Sequence, residues 1–412
     1  MEMIRQKIKS LIYAGIGLVL CVLLCGGMSM TAQAEERTDD GFYYEENKDG
    51  GITITGYTGD ETELVIPGEI DGKGVTSIGD NAFRDCSSLT SIKIPAGVTS
   101  IGVSAFEECY GLTSIEIPAG VTSIGESAFE YCSGLTSIDI PAGVTSIGES
   151  AFEYCNGLTS ITVDSKNKYY DSRDNCNAII ETGSNTLIRG CKSSKIPAGV
   201  TSIGNRAFYD CNGLTSIEIP AGVTSIGVSA FEECESLTSI EIPAGVTSIG
   251  DFAFEKCYSL MSIEIPSGVT IGIAAFSDCS DLTSIKIPEG ETSIGDSAFS
   301  GCYRLTSIEI LSGETSIGKY AFEKCDSLTS IEIPSGETSI GEYAFKDCRS
   351  LISIEIRSEV TSIGEYAFSG CASLTSIEIP SGETSIGEYA FKACRSLVTP
   401  AGISILVRPL QL

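Results

Sequence analysis

Thirteen Ala-Phe pairs recur along this chain at a nearly constant step, and that step restricts the fold more than any composition does. Their phenylalanines are Phe83, Phe106, Phe129, Phe152, Phe208, Phe231, Phe254, Phe276, Phe299, Phe322, Phe345, Phe368 and Phe391. The step is 23 residues, with one slip to 22 before Phe276 and one gap of 56 after Phe152. A fixed period in the twenties is the signature of a solenoid, in which no single repeat can bury its apolar face alone. Such an array presents a long ladder-like surface, so the functional question becomes what lies against it.

One repeat, Leu112 to Gly134, gives the expected coil. Leu112, Ile115 and Ile117 follow the L-x-x-L-x-L spacing of a leucine-rich repeat. The alternation over Ser114, Ile115, Glu116 and Ile117 predicts a strand with one face buried. Pro118 cannot donate to a ladder, so the strand should end there, and Gly120 supplies a turn. Val121 and Ile124 form a second apolar pair in a short extended segment, and Gly125 breaks the chain again. The spacing of Ala128, Phe129 and Cys132 predicts an inward-facing helical turn before Leu135 opens the next coil. The expectation is an α/β, β-rich solenoid of about 13–14 coils of 23 residues, a parallel strand ladder with short helical turns.

The period is absent at both ends. Arg5, Lys7 and Lys9, an apolar run from Leu11 to Cys25 and the small-residue pattern Ala32-Gln33-Ala34 read as a signal peptide over residues 1–34. Export to the cell surface or medium follows, with no transmembrane segment in the mature chain. Residues 35–68 read as an N-terminal β cap with short strands at Phe42–Tyr44, Ile52–Ile54 and Leu64–Ile66. Repeats then occupy 69–398. A polar insertion lies near 164–191, and Lys195-Ile196-Pro197 restores the register. Residues 399–412 form a tail that is apolar at Ile403, Ile405, Leu406 and Val407.

Charge and missing residue types narrow the function. The chain carries 26 basic and 55 acidic residues, a net charge of −29. So acidic a surface argues against nucleic acid and for basic or cation-bridged partners. A solvent-facing Glu repeated once per coil would produce the same excess without any role. With no His, the chain lacks Ser-His-Asp and Cys-His catalysis and His-based metal sites. Acid–base chemistry by two carboxylates stays formally open, but the acidic residues recur coil after coil, whereas an active site is one unique constellation. The expectation is a non-catalytic protein without a cofactor or metal.

Thirteen of the 17 cysteines stand three residues after a marker Phe. One inward Cys per coil reads as a file of reduced, apolar thiols. Parallel side chains pointing the same way suit a disulfide torsion badly. Cys176 and Cys191, in the insertion, are the better disulfide candidates.

These motifs resemble the BspA-type leucine-rich repeats of bacterial surface proteins. The residues that carry the resemblance are Ile115-x-Ile117-Pro118, Gly120-Val121-Thr122-Ser123-Ile124-Gly125 and Ala128-Phe129-x-x-Cys132-x-x-Leu135, with their counterparts in other coils. Tyr44 to Tyr57, Val163-Asp164-Ser165 and Asn167-Lys168-Tyr169-Tyr170 also look like that family. The resemblance implies a right-handed solenoid and a surface or secreted protein that binds host proteins or other cells. An adhesin for an extracellular protein is the leading expectation. A glycan-binding module and a structural spacer are the alternatives; the absence of Trp weighs against a sugar-stacking site.

Two files of residues are candidate binding surfaces. Between the strand isoleucines stand Glu309, Glu332, Glu355 and Glu378, while Lys93, Thr162, Lys195 and Lys286 interrupt the earlier file. Alternation turns these side chains outward, where they should suit a basic partner or a divalent cation. Two residues before the marker Phe, early coils carry Ser104, Ser127 and Ser150, and the last four carry Tyr320, Tyr343, Tyr366 and Tyr389. The same end replaces a turn Val by Glu291, Glu314, Glu337 and Glu383, and adds Lys319, Lys324, Lys346, Arg349, Lys392 and Arg395. Tyrosine edged by both charge signs is a composition favoured at protein interfaces. Rings that only pack on one another would leave the same pattern.

Overall fold

Pairing between coils, rather than within them, makes the strands of this chain. The computed structural model describes residues 36–287, 292–310, 315–333, 339–356, 360–378 and 385–397. The expected signal peptide, the tail from 399 and the four turn glutamates Glu291, Glu314, Glu337 and Glu383 lie outside them. The solenoid unit begins at Arg37. It holds about 13 turns of about 23 residues.

Each coil has three sides. On the first, Ile-x-Ile strands such as Ser114–Glu116 pair in parallel with their neighbours. On the second, short Ser-Ile strands such as Ser123–Ile124 pair at the same positions one coil away. A strand of two or three residues has almost no stability alone, so it exists only because the next coil repeats it. The threonines support both ladders: the Thr122 hydroxyl donates to the Thr99 carbonyl, and Thr136 to Thr113, at 3.1 and 3.2 Å.

The third side departs from the expectation of a helical turn. Among the described residues the only helix is a three-residue 3-10 turn at Arg173–Asn175, in the insertion. Around each marker Phe the backbone runs through tight turns. The residues two before and two after it, such as Ser127 and Tyr131, lie in the left-handed region at φ 53 and 61. Alternate N–H groups therefore point in opposite senses. Ala128, Glu130 and Cys132 donate within the coil, to Gly125, Ser127 and Phe129. Ser127, Phe129 and Tyr131 donate to Glu149, Ala151 and Glu153 of the next coil, at 2.9, 2.9 and 3.0 Å. The Phe side is thus a third ladder, built from turns.

Packing follows this geometry. Phe129 is fully buried, and its ring stacks on Phe106 and Phe152 at 5.3 and 5.4 Å. Gly125 is required by close approach: a Cβ there would lie 2.5 Å from the Gly102 carbonyl carbon. The cysteines of the file carry free thiols, as expected. Cys176 and Cys191 do too, which corrects the disulfide expectation; their Sγ atoms face the Ala178 and Asn177 carbonyls instead.

Before the first coil, Phe42–Glu46 and Ile52–Tyr57 form an antiparallel hairpin, and Ile52–Tyr57 pairs in parallel with Lys73–Ile78. The insertion interrupts the array. Its strands Tyr170–Asp171, Ile179–Glu181 and Thr186–Arg189 form an antiparallel meander whose last member pairs with Ser202–Ile203. The apolar core divides there: one cluster reaches from Phe42 to Ile179 and Cys191, and the other starts at Cys176 and runs to Phe391.

Candidate functional site

The four tyrosines sit at the left-handed position before the marker Phe, with φ of 57, 58, 53 and 60 for Tyr320, Tyr343, Tyr366 and Tyr389. That backbone throws the side chain outward while the following Ala points into the core. The rings stack in one file, with centroids 4.7, 5.0 and 5.0 Å apart. Tyr320, Tyr343 and Tyr366 are half-buried, whereas Tyr389 at the end is 48 % exposed. Because each inner ring covers its neighbour's face, the file offers a row of edges and hydroxyls.

Cations flank it. Lys346 Nζ lies 5.6 Å from the Tyr343 ring, and Lys392 Nζ lies 5.4 Å from both Tyr366 and Tyr389. Lys346 also meets Glu323 at 2.9 Å, Lys319 meets Glu342 at 3.0 Å, and Arg349 meets Asp326 at 3.3 Å. These pairs join adjacent coils. Exposed pairs of this kind contribute little to stability. They do hold the charges at fixed positions beside the rings.

The strands that carry the acidic file lie side by side on successive coils. Glu332, Glu355 and Glu378 stand in register on the parallel strands Ser330–Ile333, Ser353–Ile356 and Ser376–Glu378. Glu309 is in register with Lys286 on one side, and its strand Ser307–Ile310 lies beside that of Glu332 on the other. Glu309, Glu332 and Glu355 are exposed. They occupy the Ile-x-Ile side of the coil and the tyrosines the Phe side, so the two files are separate surfaces. No group of three or more Cys, Asp or Glu among the described residues is arranged to hold a metal ion.

One constellation was missed by the repeat pattern because it belongs to no repeat. Glu153, Tyr170, Arg189 and Arg206 line a cavity of about 350 Å³ where the insertion meets the coil of Phe152. The gap of 56 residues between marker phenylalanines was the only sequence signal for it.

Comparison with known proteins agrees with this geometry. The model of the BspA type leucine rich repeat region matches residues 62–178, 187–304 and 269–398. A leucine-rich repeat protein from Bacteroides ovatus is similar at 30 % identity, covering 88 % of this chain and 93 % of that one, with a TM-score of 0.62. A leucine rich cell surface protein from Faecalibacterium prausnitzii is similar at 33 % identity, 84 % and 94 % coverage and a TM-score of 0.54. The pneumococcal vaccine antigen PcpA shares the fold at 16 % identity, 79 % and 94 % coverage and a TM-score of 0.55. No curated protein matches the chain.

Proposed function

The chain belongs to the BspA-type leucine-rich repeat family, and we propose that it is an exported, non-catalytic binding protein, an adhesin that holds an extracellular protein against its last four coils. The tyrosine file carries this reading. Stacked rings are already ordered before binding, so little side-chain entropy is left to lose on contact. Hydroxyls and paired charges then supply directional contacts around an aromatic centre. Export is supported by the leader-like residues 1–34 and by the similar F. prausnitzii protein, which is described as a cell surface protein. A glycan is the weaker alternative: sugars stack on ring faces, and the inner faces of this file are occupied by one another.

The test is to change Tyr320, Tyr343, Tyr366 and Tyr389 together to Ser, the residue that early coils carry at this position. The parent and variant are compared on a panel of extracellular-matrix proteins and a glycan array, at two salt concentrations. Binding lost from a matrix protein with an unchanged melting curve supports the proposal. Binding retained with a lowered melting temperature assigns the file to packing and ends it.

A further inference from the structure

The ladder on the Phe side stops at the insertion. In the coil of Phe129 the N–H groups of Ser127, Phe129 and Tyr131 each reach a carbonyl of the following coil. Their counterparts Ser150, Phe152 and Tyr154 reach none. Ser150 and Tyr154 keep the left-handed φ of 59 and 54, so all three N–H groups still point where a following coil would stand. The segment that should accept them serves the next coil instead. Gly190 takes the marker Phe position: its N–H donates to the Ala207 carbonyl at 2.8 Å, and a Cβ there would collide with the Phe208 ring.

Arg189 takes the position of the buried Ala. It is 6 % exposed, and its Nη1 reaches only the Arg206 and Tyr209 carbonyls, at 3.3 and 3.5 Å. Its Nε has no partner. A buried guanidinium with no ion pair and an unbonded Nε is unfavourable, so it calls for further negative charge. Neither nearby carboxylate pairs with it: Glu153 takes the Ser150 hydroxyl at 2.6 Å and Arg206 Nη1 at 3.4 Å, and Asp210, buried within reach of the guanidinium's field, takes the side-chain amides of Asn156 and Asn212 at 2.8 and 2.6 Å. Parallel backbone N–H groups beside arginines make an anion site. Yet Glu149 and Glu181 also line the cavity and disfavour a doubly charged anion. Ile147, Ile179 and Tyr170 give it an apolar wall.

We propose that this seam binds a small zwitterion of the free α-amino acid class. The carboxylate would lie against Arg189 and the N–H groups of Ser150 and Phe152, the ammonium against Glu149 and Glu181, and the side chain on Ile147 and Ile179. A cavity of about 350 Å³ is of ligand size. The site is independent of the tyrosine file and takes a different class of ligand.

The full chain is titrated calorimetrically with single L-amino acids, with acetate and with inorganic phosphate. Hydrogen exchange is followed over residues 148–156. The expected result is saturable binding of at least one amino acid, slowed exchange at Ser150 and Phe152, and weaker binding of acetate and phosphate. Glu181→Gln, on an exposed strand end, should weaken amino-acid binding about tenfold while acetate binding is not weakened. Arg189→Leu should abolish binding of both, with circular dichroism reporting whether the variant folds. Absence of binding by every amino acid at millimolar concentration overturns the proposal. So does phosphate binding as tightly as the best amino acid, or Glu181→Gln without effect.

Discussion

Cys132 shows why one thiol recurs in every coil. Its Sγ donates to the Phe106 carbonyl of the preceding coil at 3.2 Å, while its own N–H donates to the Phe129 carbonyl at 3.1 Å. Away from the seam at Phe152, each inner Phe carbonyl therefore receives one N–H and one S–H. Ala in this place would leave half of that acceptor unsatisfied in a buried setting. Burial pushes the Cys86 and Cys155 thiols up to about 12, and Cys394 up to about 11. The thiolate is the reactive form, so the file should be inert. An aromatic disulfide reagent at pH 8 should label little of the folded chain and all accessible thiols in guanidinium. Rapid native labelling of Cys132, or a native crosslink between Cys176 and Cys191, contradicts this. The sequence showed an inward, reduced Cys; it could not show the donor role, because the acceptor lies in another coil. Phe129 was legible as core for the same periodic reason. Phe129→Ala should cost about 3–5 kcal/mol, read by denaturant melts, with faster exchange centred on its neighbouring coils.

At the scale of the element, the turn ladder was the part the sequence misrepresented. Ala-Phe-x-x-Cys has the same spacing in a helical turn as in consecutive tight turns. The difference lies in whether Phe129 N–H bonds within its coil or to Ala151 of the next, which no single repeat specifies. The left-handed residues give a direct test. Lys324 lies at φ 61, while its counterparts Gly301 and Gly370 lie at 74 and 80. Lys324→Gly should raise stability by about 0.5 kcal/mol, the relief of the Cβ strain less the entropy of glycine, whereas Lys324→Val should lower it by more. Both are read as shifts in denaturant midpoint, and the reverse order refutes the left-handed assignment.

The same side carries a pH dependence. Burial, reinforced by Glu232, raises Glu255 to about 7, and burial also raises Glu130 and Glu232. A carboxyl that holds its proton more tightly when folded stabilises below its unfolded pKa and loses that contribution as pH rises through the folded value. Stability should therefore fall between about pH 4.5 and pH 7, and Glu255→Gln should flatten the curve over that window. Melting temperatures across the range check both the sign and the residue. A rise towards pH 7 would mean that these carboxylates are ionised in the fold.

At the scale of the molecule, the period alone gave the solenoid, the number of coils and the faces that stack. It could not give the seam. The missing repeat between Phe152 and Phe208 is visible as a gap, but its consequences depend on which N–H groups lose an acceptor and where Arg189 is placed. Ring stacking continues at 5.0–5.5 Å on either side of this break. Both the fold and the separation of the seam from the tyrosine file rest on coils bonding to one another through alternate N–H groups on the Phe side. Amide exchange of the ligand-free chain, compared between residues 125–131 and 148–154, tests this most directly. The amides of Ser127, Phe129 and Tyr131 should be protected and those of Ser150, Phe152 and Tyr154 should exchange much faster. Equal protection across the two segments would mean that the ladder runs unbroken through the insertion, and would contradict the account.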